Sequence, residues 1–181
     1  MAQRREVDDA ITDATLALLR SGGPKAVTVE AVAARSGIAK TTIYRRHHDR
    51  RDMLSVALER MTTPEPLAAQ TEAPDRLRWL IREAVKTIEV GIGFGGLAAM
   101  LTDDDPDFTK LFRRILARQR AELESVIDAG KADGSFRADL DGATLIDAVV
   151  GAVIAERART GRVANGWEAR LFDLFWPSVR V

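Results

Sequence analysis

The sequence predicts an all-α protein, and three observations support this. Apolar residues recur at the three- and four-residue spacing of amphipathic helices over most of the 181 residues. No run of four or more residues alternates between apolar and polar, as a half-buried strand requires. Glycine and proline clusters interrupt the periodic segments, as they do between helices. We therefore expect helices joined by turns and one proline-rich linker.

The first two predicted helices have clear ends. Helix one ends at Gly22-Gly23-Pro24, because glycine and proline together are a strong stop signal. Helix two begins after Thr28, a residue type that caps helix N-termini, and runs to about Arg35. Gly37 follows it, where a tight turn favours a residue that tolerates positive φ.

The third predicted helix is short, from Lys40 to about Arg46, and its Ile43 faces inward. A fourth helix starts near Asp49. Three prolines fall within residues 62–74, where they interrupt any helix. We place the linker between the two parts of the chain in this stretch.

The sequence predicts further helices in the rest of the chain. An amphipathic helix is predicted over residues 77–88, and the glycine-rich segment Gly91–Gly96 is predicted to be a bend or loop. Asp105 and Pro106 form a capping and first-turn pair that opens a long helix ending near residues 130–134.

The last two helices are predicted over about residues 141–160 and 167–176, and Pro177 is expected to close the second of them.

Composition excludes several classes of protein. The chain has no cysteine, so it has no disulfide scaffold, no thiolate zinc site and no thiol nucleophile. Its only histidines are the adjacent His47 and His48, and no Ser-His-Asp set or paired-carboxylate motif is recognisable. Helix capping explains Asp103–Asp105 more simply than metal binding does. We expect no enzyme, no cofactor and no metal site.

The hydrophobic runs indicate a soluble protein. No stretch approaches the ~20 apolar residues that a membrane span needs. The first twenty residues are amphipathic and charged, unlike a signal or transit peptide. We therefore expect no membrane partner and a cytoplasmic location.

The neutral total charge hides a basic N-terminal part. Residues 1–60 carry eleven basic and eight acidic side chains, although the whole chain has 27 of each. Between Arg35 and Arg51 there are six basic residues and only one acidic residue, Asp49. A local basic patch on a neutral protein indicates an anionic partner that binds at one end.

Residues 28–46 have the layout of a helix-turn-helix. In the second short helix Ile43 anchors one face, and Ile38 anchors the turn before it. The opposite face offers side chains that can reach base edges in the major groove, namely Lys40, Thr41, Thr42 and Arg45. Other donors lie where they can reach phosphates, namely Tyr44, Arg46 and Arg50.

The run from Thr28 through Tyr44-Arg45-Arg46, followed by Arg50 and Met53-Leu54, resembles the DNA-binding domain of the TetR (tetracycline-repressor) family. The resemblance is strong over residues 8–60 and weaker beyond. It implies that Thr28 and Tyr44 bind phosphates, that Lys40 to Thr42 and Arg45 lie near bases, and that Arg50 binds the DNA backbone. It also implies a homodimer whose C-terminal helices bind a small effector.

Two positions depart from the family pattern. Ala39 stands where Ser or Thr commonly caps the recognition helix, and the lost cap costs about 1 kcal/mol. His47 stands where an aromatic residue is usual, so we expect looser packing beneath that helix.

The C-terminal part supplies candidates for an effector pocket and a dimer interface. A small apolar or amphipathic effector would meet apolar side chains, and our candidates are Trp79, Phe94, Met100, Phe108 and Phe112. The candidates for the dimer interface are Leu145, Val149, Val150, Val153, Trp167, Leu171 and Phe175. All of these residues are also compatible with the ordinary core of one subunit.

We predict a helix-turn-helix DNA-binding domain over residues 1–50 and a helical effector-binding and dimerisation domain over residues 51–181. The predicted function is sequence-specific transcriptional regulation, as a repressor released from a palindromic operator by a small molecule. The alternatives are a DNA-binding dimer without a ligand response and a helical adaptor that binds protein.

Overall fold

A computed structural model describes residues 2–68 and 70–181, and in these ranges the protein is helical. The only strand-like pairing in the described ranges is an isolated antiparallel bridge between Phe136 and Arg180. The helices are α1 (Ala2–Gly22), α2 (Val29–Ser36), α3 (Lys40–Arg46), α4 (Arg50–Thr62), α5 (Ala73–Lys86), α6 (Gly93–Thr102), α7 (Pro106–Ala132), α8 (Gly142–Thr160) and α9 (Trp167–Val179). The predicted all-α fold is confirmed.

The signals read from the N-terminal sequence act as predicted. Helix α1 ends at Gly22, and Pro24 begins a single 3₁₀ turn. Thr28 Oγ1 accepts a hydrogen bond from Ala31 N at 3.1 Å and so caps α2. Asp49 caps α4 in the same way, by accepting from a backbone N–H of the first turn.

The segment Gly91–Gly96 is helical, so the predicted bend or loop there is wrong. A π-helical turn over Thr87–Ile92 continues directly into α6. The glycines serve close packing: a Cβ on Gly95 would lie 3.0 Å from the carbonyl oxygen of Arg20 in α1. Arg20 Nε also donates to the carbonyl oxygen of Gly91 at 2.8 Å.

Pro177 does not close the last helix, because α9 continues to Val179. A proline removes one backbone donor, here the bond to the carbonyl of Asp173 one turn earlier. Asp173 and Pro177 are both exposed, so this turn of α9 lies at the surface.

The chain divides into two compact units. One comprises Met1–Thr63 and Thr87–Leu116, and the other comprises Pro64–Lys86 and Ala117–Val181. The first unit therefore contains α1 to α4 together with the π-helical turn, α6 and the start of α7. The division reflects packing, whereas the predicted boundary at residue 50 concerns function and stays a prediction.

The second unit is built on the apolar face of α5. Leu77 and Ile81 are fully buried there, in one cluster with Ile127 of α7 and Val149 of α8. Phe136, in the connection between α7 and α8, is 1% exposed in the same cluster. This packing explains the strong amphipathic pattern of the α5 sequence.

Arg50, the first residue of α4, joins three parts of the first unit. Its Nε donates to the carbonyl oxygen of Val27 at 2.8 Å, and its Nη2 donates to the carbonyl oxygen of Pro24. The same Nη2 lies 2.7 Å from Oδ2 of Asp105, the residue just before α7. A single guanidinium thus links the turn before α2, the start of α4 and the start of α7.

Asp105 has two roles, because its other oxygen caps α7. Oδ1 accepts a hydrogen bond from the backbone N–H of Phe108 at 3.0 Å. Burial raises the pKa of this carboxyl, but the Phe108 N–H, Arg50 and Lys25 together outweigh burial and hold the pKa below its ordinary value. Asp105 is therefore ionised at neutral pH and paired.

Two substitutions separate these roles. Asp105→Asn keeps a capping oxygen but loses the charge, whereas Asp105→Ala loses both. We therefore expect the alanine variant to be less stable than the asparagine variant by about 1 kcal/mol. Because the folded-state pKa of Asp105 is lowered, its charge stabilises the native protein above the unfolded-state pKa. That stabilisation is lost as pH falls through the folded-state pKa.

The free energy of unfolding, measured in urea from pH 7 to pH 3 at fixed protein concentration, tests this. The difference in unfolding free energy between the native and Asp105→Asn proteins should narrow as pH falls below the unfolded-state pKa of the carboxyl. A stability difference between native and Asp105→Asn protein that does not change with pH would contradict the role of the Arg50 ion pair. Equal losses of stability in Asp105→Asn and Asp105→Ala would contradict the capping role.

Candidate nucleic-acid interface

The turn between α2 and α3 is set by local chemistry. Gly37 has φ of 71°, in the left-handed region, and its N–H donates to the carbonyl oxygen of Ala33 at 3.0 Å. Nothing lies within 4 Å of where a Cβ on Gly37 would be, so the backbone angle is the reason for glycine here. Ser36 Oγ accepts from the N–H of Ile38 at 3.2 Å and stabilises the same turn.

Helix α3 has one buried and one exposed face. Ile43 is fully buried, whereas Lys40, Thr41 and Arg45 are exposed and Tyr44 is 54% exposed. Thr42 lies between the two faces and is half-buried. Three of the four predicted base-reading residues, Lys40, Thr41 and Arg45, therefore share the exposed side of a short, anchored helix.

The N-terminus of α3 lacks a side-chain cap, as the sequence predicts. Ala39 makes no capping side-chain bond, although its carbonyl accepts from Thr42 N at 2.9 Å. Lys40 reaches back to α2, where its Nζ lies 3.2 Å from Glu30 Oε1. The backbone N–H of Glu30 and then Lys40 hold the pKa of the Glu30 carboxyl below its ordinary value.

The C-terminal end of α3 is held by charge. Arg46 forms an ion pair with Asp8 of α1, and the Arg46 side chain is only 17% exposed. Its Nε is buried without a hydrogen-bond partner among the described residues. Arg45 is different, since no hydrogen bond or ion pair involves its side chain in residues 2–68 and 70–181.

His47 ends α3 and is buried. Its Nδ1 has no hydrogen-bond partner in the described ranges, and Asp52 Oδ2 lies 3.8 Å away. The residue is 7% exposed, and the looser packing expected beneath α3 stays a prediction. No group of three potential metal ligands occurs among the described residues, His47 and His48 included.

The remaining predicted DNA contacts have structural partners too. Thr28 is exposed, but its hydroxyl caps α2. Arg50 is one-third exposed, and two of its nitrogens bind Val27, Pro24 and Asp105. Both residues can still meet a phosphate, Thr28 through its hydroxyl donor and Arg50 through its remaining donors.

The effector candidates fall in both units. Phe108 and Phe112 stack in the first unit with ring centroids 5.7 Å apart, and each is 1% exposed. Phe94 and Met100, in α6 of the same unit, are half-buried. Trp79 belongs to the second unit, where its Nε1 donates to the carbonyl oxygen of Glu65 at 3.0 Å.

The dimer candidates divide by exposure. The four buried ones lie in the core of the second unit, namely Leu145, Val149, Val153 and Leu171. Val150, Trp167 and Phe175 are only half-buried and pack at the edge of that core. Leu174, which was not among the candidates, is 63% exposed on α9.

Asp8 and Glu30 were also missed, because each acts through a partner elsewhere in the sequence. Asp8 lies 38 residues before Arg46, and Glu30 lies 10 residues before Lys40. The sequence shows only that both residues are acidic and precede the basic segment between Arg35 and Arg51.

None of the described helices has both the length and the apolar character needed to cross a bilayer.

Comparison with known proteins agrees with this geometry. Residues 11–57 match the family model described as bacterial regulatory proteins, tetR family, and this range contains the whole helix-turn-helix. The chain is 27% identical over 166 residues to YdeS, an uncharacterized HTH-type transcriptional regulator of Bacillus subtilis (strain 168), covering 86% of this chain and 80% of that protein.

Two solved structures share the fold. A TetR-family regulator from Rhodococcus sp. covers 98% of this chain and 100% of its own at 20% identity, with a TM-score of 0.76. A transcriptional regulator from Saccharomonospora viridis, solved in complex with choline, covers 98% and 99% at 20% identity, with a TM-score of 0.66. Residues 11–57 thus match the N-terminal domain of the tetR family of bacterial regulatory proteins, and the whole chain shares its fold with a TetR-family regulator.

Proposed function

We propose that this protein is a homodimeric repressor that leaves a near-palindromic operator when a small molecule binds. The observation that carries the proposal is the exposed face of α3, where Lys40, Thr41 and Arg45 project while Ile43 is fully buried. A short helix with donors on one side and an apolar anchor on the other suits the major groove. Residues 1–50 then bind DNA, and residues 51–181 bind the effector and the second subunit.

The proposed contacts divide into two classes. Lys40, Thr41, Thr42 and Arg45 read base edges, and Thr28, Tyr44, Arg46 and Arg50 bind phosphates. Arg45 is the main base reader, because its unpaired guanidinium can bind guanine with two parallel hydrogen bonds. Lys40 would exchange Glu30 for DNA, a small cost since surface ion pairs contribute at most about 1 kcal/mol.

Exposed apolar surface on α8 and α9 supports the dimer. Leu174 lies seven residues after Trp167, so both are on one face of α9. On α8, a Cβ at the exposed Gly151 would meet nothing within 4 Å, next to the half-buried Val150. Exposed and half-buried apolar positions on α8 and α9, together with a small exposed residue, permit close approach of a second copy.

Two subunits would place two copies of α3 in successive major grooves, so the half-sites should be about 34 to 36 Å apart or a multiple of this.

The effector part of the proposal rests on the apolar candidates in the first unit and on a property of a neighbour. The Saccharomonospora viridis regulator was solved with choline, so this fold holds a small molecule in that protein. A ligand relieves repression only if it binds better to a dimer geometry with the wrong spacing. We therefore propose a small apolar or amphipathic effector bound within the first unit by Phe94, Met100, Phe108 and Phe112.

The division between base and phosphate contacts predicts two different losses. Arg45→Ala should cost about 1–3 kcal/mol of binding free energy on the preferred duplex and relax preference at one base pair. Tyr44→Phe removes one exposed hydroxyl and should weaken all duplexes alike by about 1 kcal/mol. Fluorescence anisotropy on duplexes that differ at single base pairs measures both. Loss of affinity without altered preference in Arg45→Ala would refute its role as a reader.

The proposed dimer face can be tested with two exposed leucines. Leu174→Glu should convert the dimer to a monomer in sedimentation equilibrium, because the interface would bury an unpaired carboxylate. Leu101→Glu is the matched control, since Leu101 is 71% exposed on α6 in the other unit and should leave the dimer intact. A dimeric Leu174→Glu protein, or equal dissociation of both variants, would contradict the proposed face.

A further inference from the structure

A groove lies beside α3, between this helix and the N-terminal end of α1. It has a volume of about 540 Å³ and is lined by Arg4 and Val7 of α1 and by Thr42, Arg45 and Arg46 of α3. All five residues belong to the first unit. Three guanidinium groups therefore border one groove.

The positive charge in this groove is only partly compensated. Asp8 pairs with Arg46, but no carboxylate pairs with Arg4 or Arg45 in the part of the chain that the structure describes. Both of these arginines are exposed, and Arg46 keeps a buried Nε without an acceptor. The groove thus has a net positive charge, and the exposed guanidinium groups of Arg4 and Arg45 can donate hydrogen bonds to an anion.

The position of Arg4 along α1 strengthens this conclusion. Arg4 lies near the start of α1, whose first turn contains no acidic residue. Cations near a helix N-terminus oppose the helix dipole at a modest cost in free energy, which a bound anion would offset. Asp8, one turn after Arg4, pairs with Arg46 and so ties this part of α1 to α3.

We propose that this groove holds the phosphodiester backbone next to the bases that α3 reads, with Arg4 as an additional phosphate contact. The inference rests on the proposed function, and it extends the DNA interface from α3 to α1. Thr42 and Arg45 belong both to the groove and to the base-reading set, so an anion in the groove lies beside the bound base pairs. Guanidinium groups match phosphate oxygens in a two-bond geometry.

Arg4→Ala and Arg5→Ala form a matched pair for the test. Both residues are exposed, adjacent on α1 and identical in charge, but Arg5 does not line the groove. Affinity for a fixed duplex is measured for the native chain and both variants between 50 and 300 mM salt, roughly the range over which counterion release is strong. Arg4→Lys is included, because it keeps the charge.

Arg4→Ala should bind about tenfold more weakly and should reduce the salt slope by about one phosphate contact. It should weaken all sequences alike, and Arg4→Lys should restore most of the slope. Arg5→Ala should bind within about twofold of the native chain, since Arg5 does not line the groove and would make no direct contact with the phosphate held there.

Equal losses in Arg4→Ala and Arg5→Ala would overturn the inference, because general charge and not the groove would then be responsible. The proposed function would survive that result. If the folded native chain binds no duplex, both the proposed function and this inference are wrong.

Discussion

A seven-residue helix is not stable by itself in water, and this constraint governs the N-terminal part of the protein. Helix α3 also lacks a side-chain cap at Ala39, so tertiary contacts must supply its stability. Ile43 supplies them at the core, and the Arg46 to Asp8 ion pair supplies them at the C-terminal end. These two contacts hold the other side of α3, so its exposed donors are presented in a defined geometry.

The first unit, which contains α3, also contains segments that are distant from it in sequence. The π-helical turn, α6 and the start of α7 belong with α1 to α4. Arg50 binds Asp105, and Lys25 Nζ lies 2.6 Å from Asp104, so two cations of the N-terminal region contact the turn between α6 and α7. A change in that turn would therefore act on the start of α4 and on the turn before α2 directly.

Local signals in the sequence predict the helices well, and long-range contacts explain what they miss. Thr28, Gly37 and Asp49 act within three or four residues of themselves, so their caps and turn could be foreseen. The helical structure of Gly91–Gly96 could not be foreseen. A glycine that breaks a helix and a glycine that lets another backbone approach look identical in a sequence.

The candidate site shows the same limit. The donors of α3 were predicted, whereas Asp8 and the groove beside Arg4 depend on how α1 meets α3.

The most direct test of the central claim is selection of bound duplexes from a random library, with the purified native chain at fixed moderate salt. If the exposed face of α3 reads bases in a dimer, the selected duplexes should converge on a near-palindrome whose half-sites lie about one helical turn, or a multiple of it, apart. A folded chain that enriches no sequence would contradict the account.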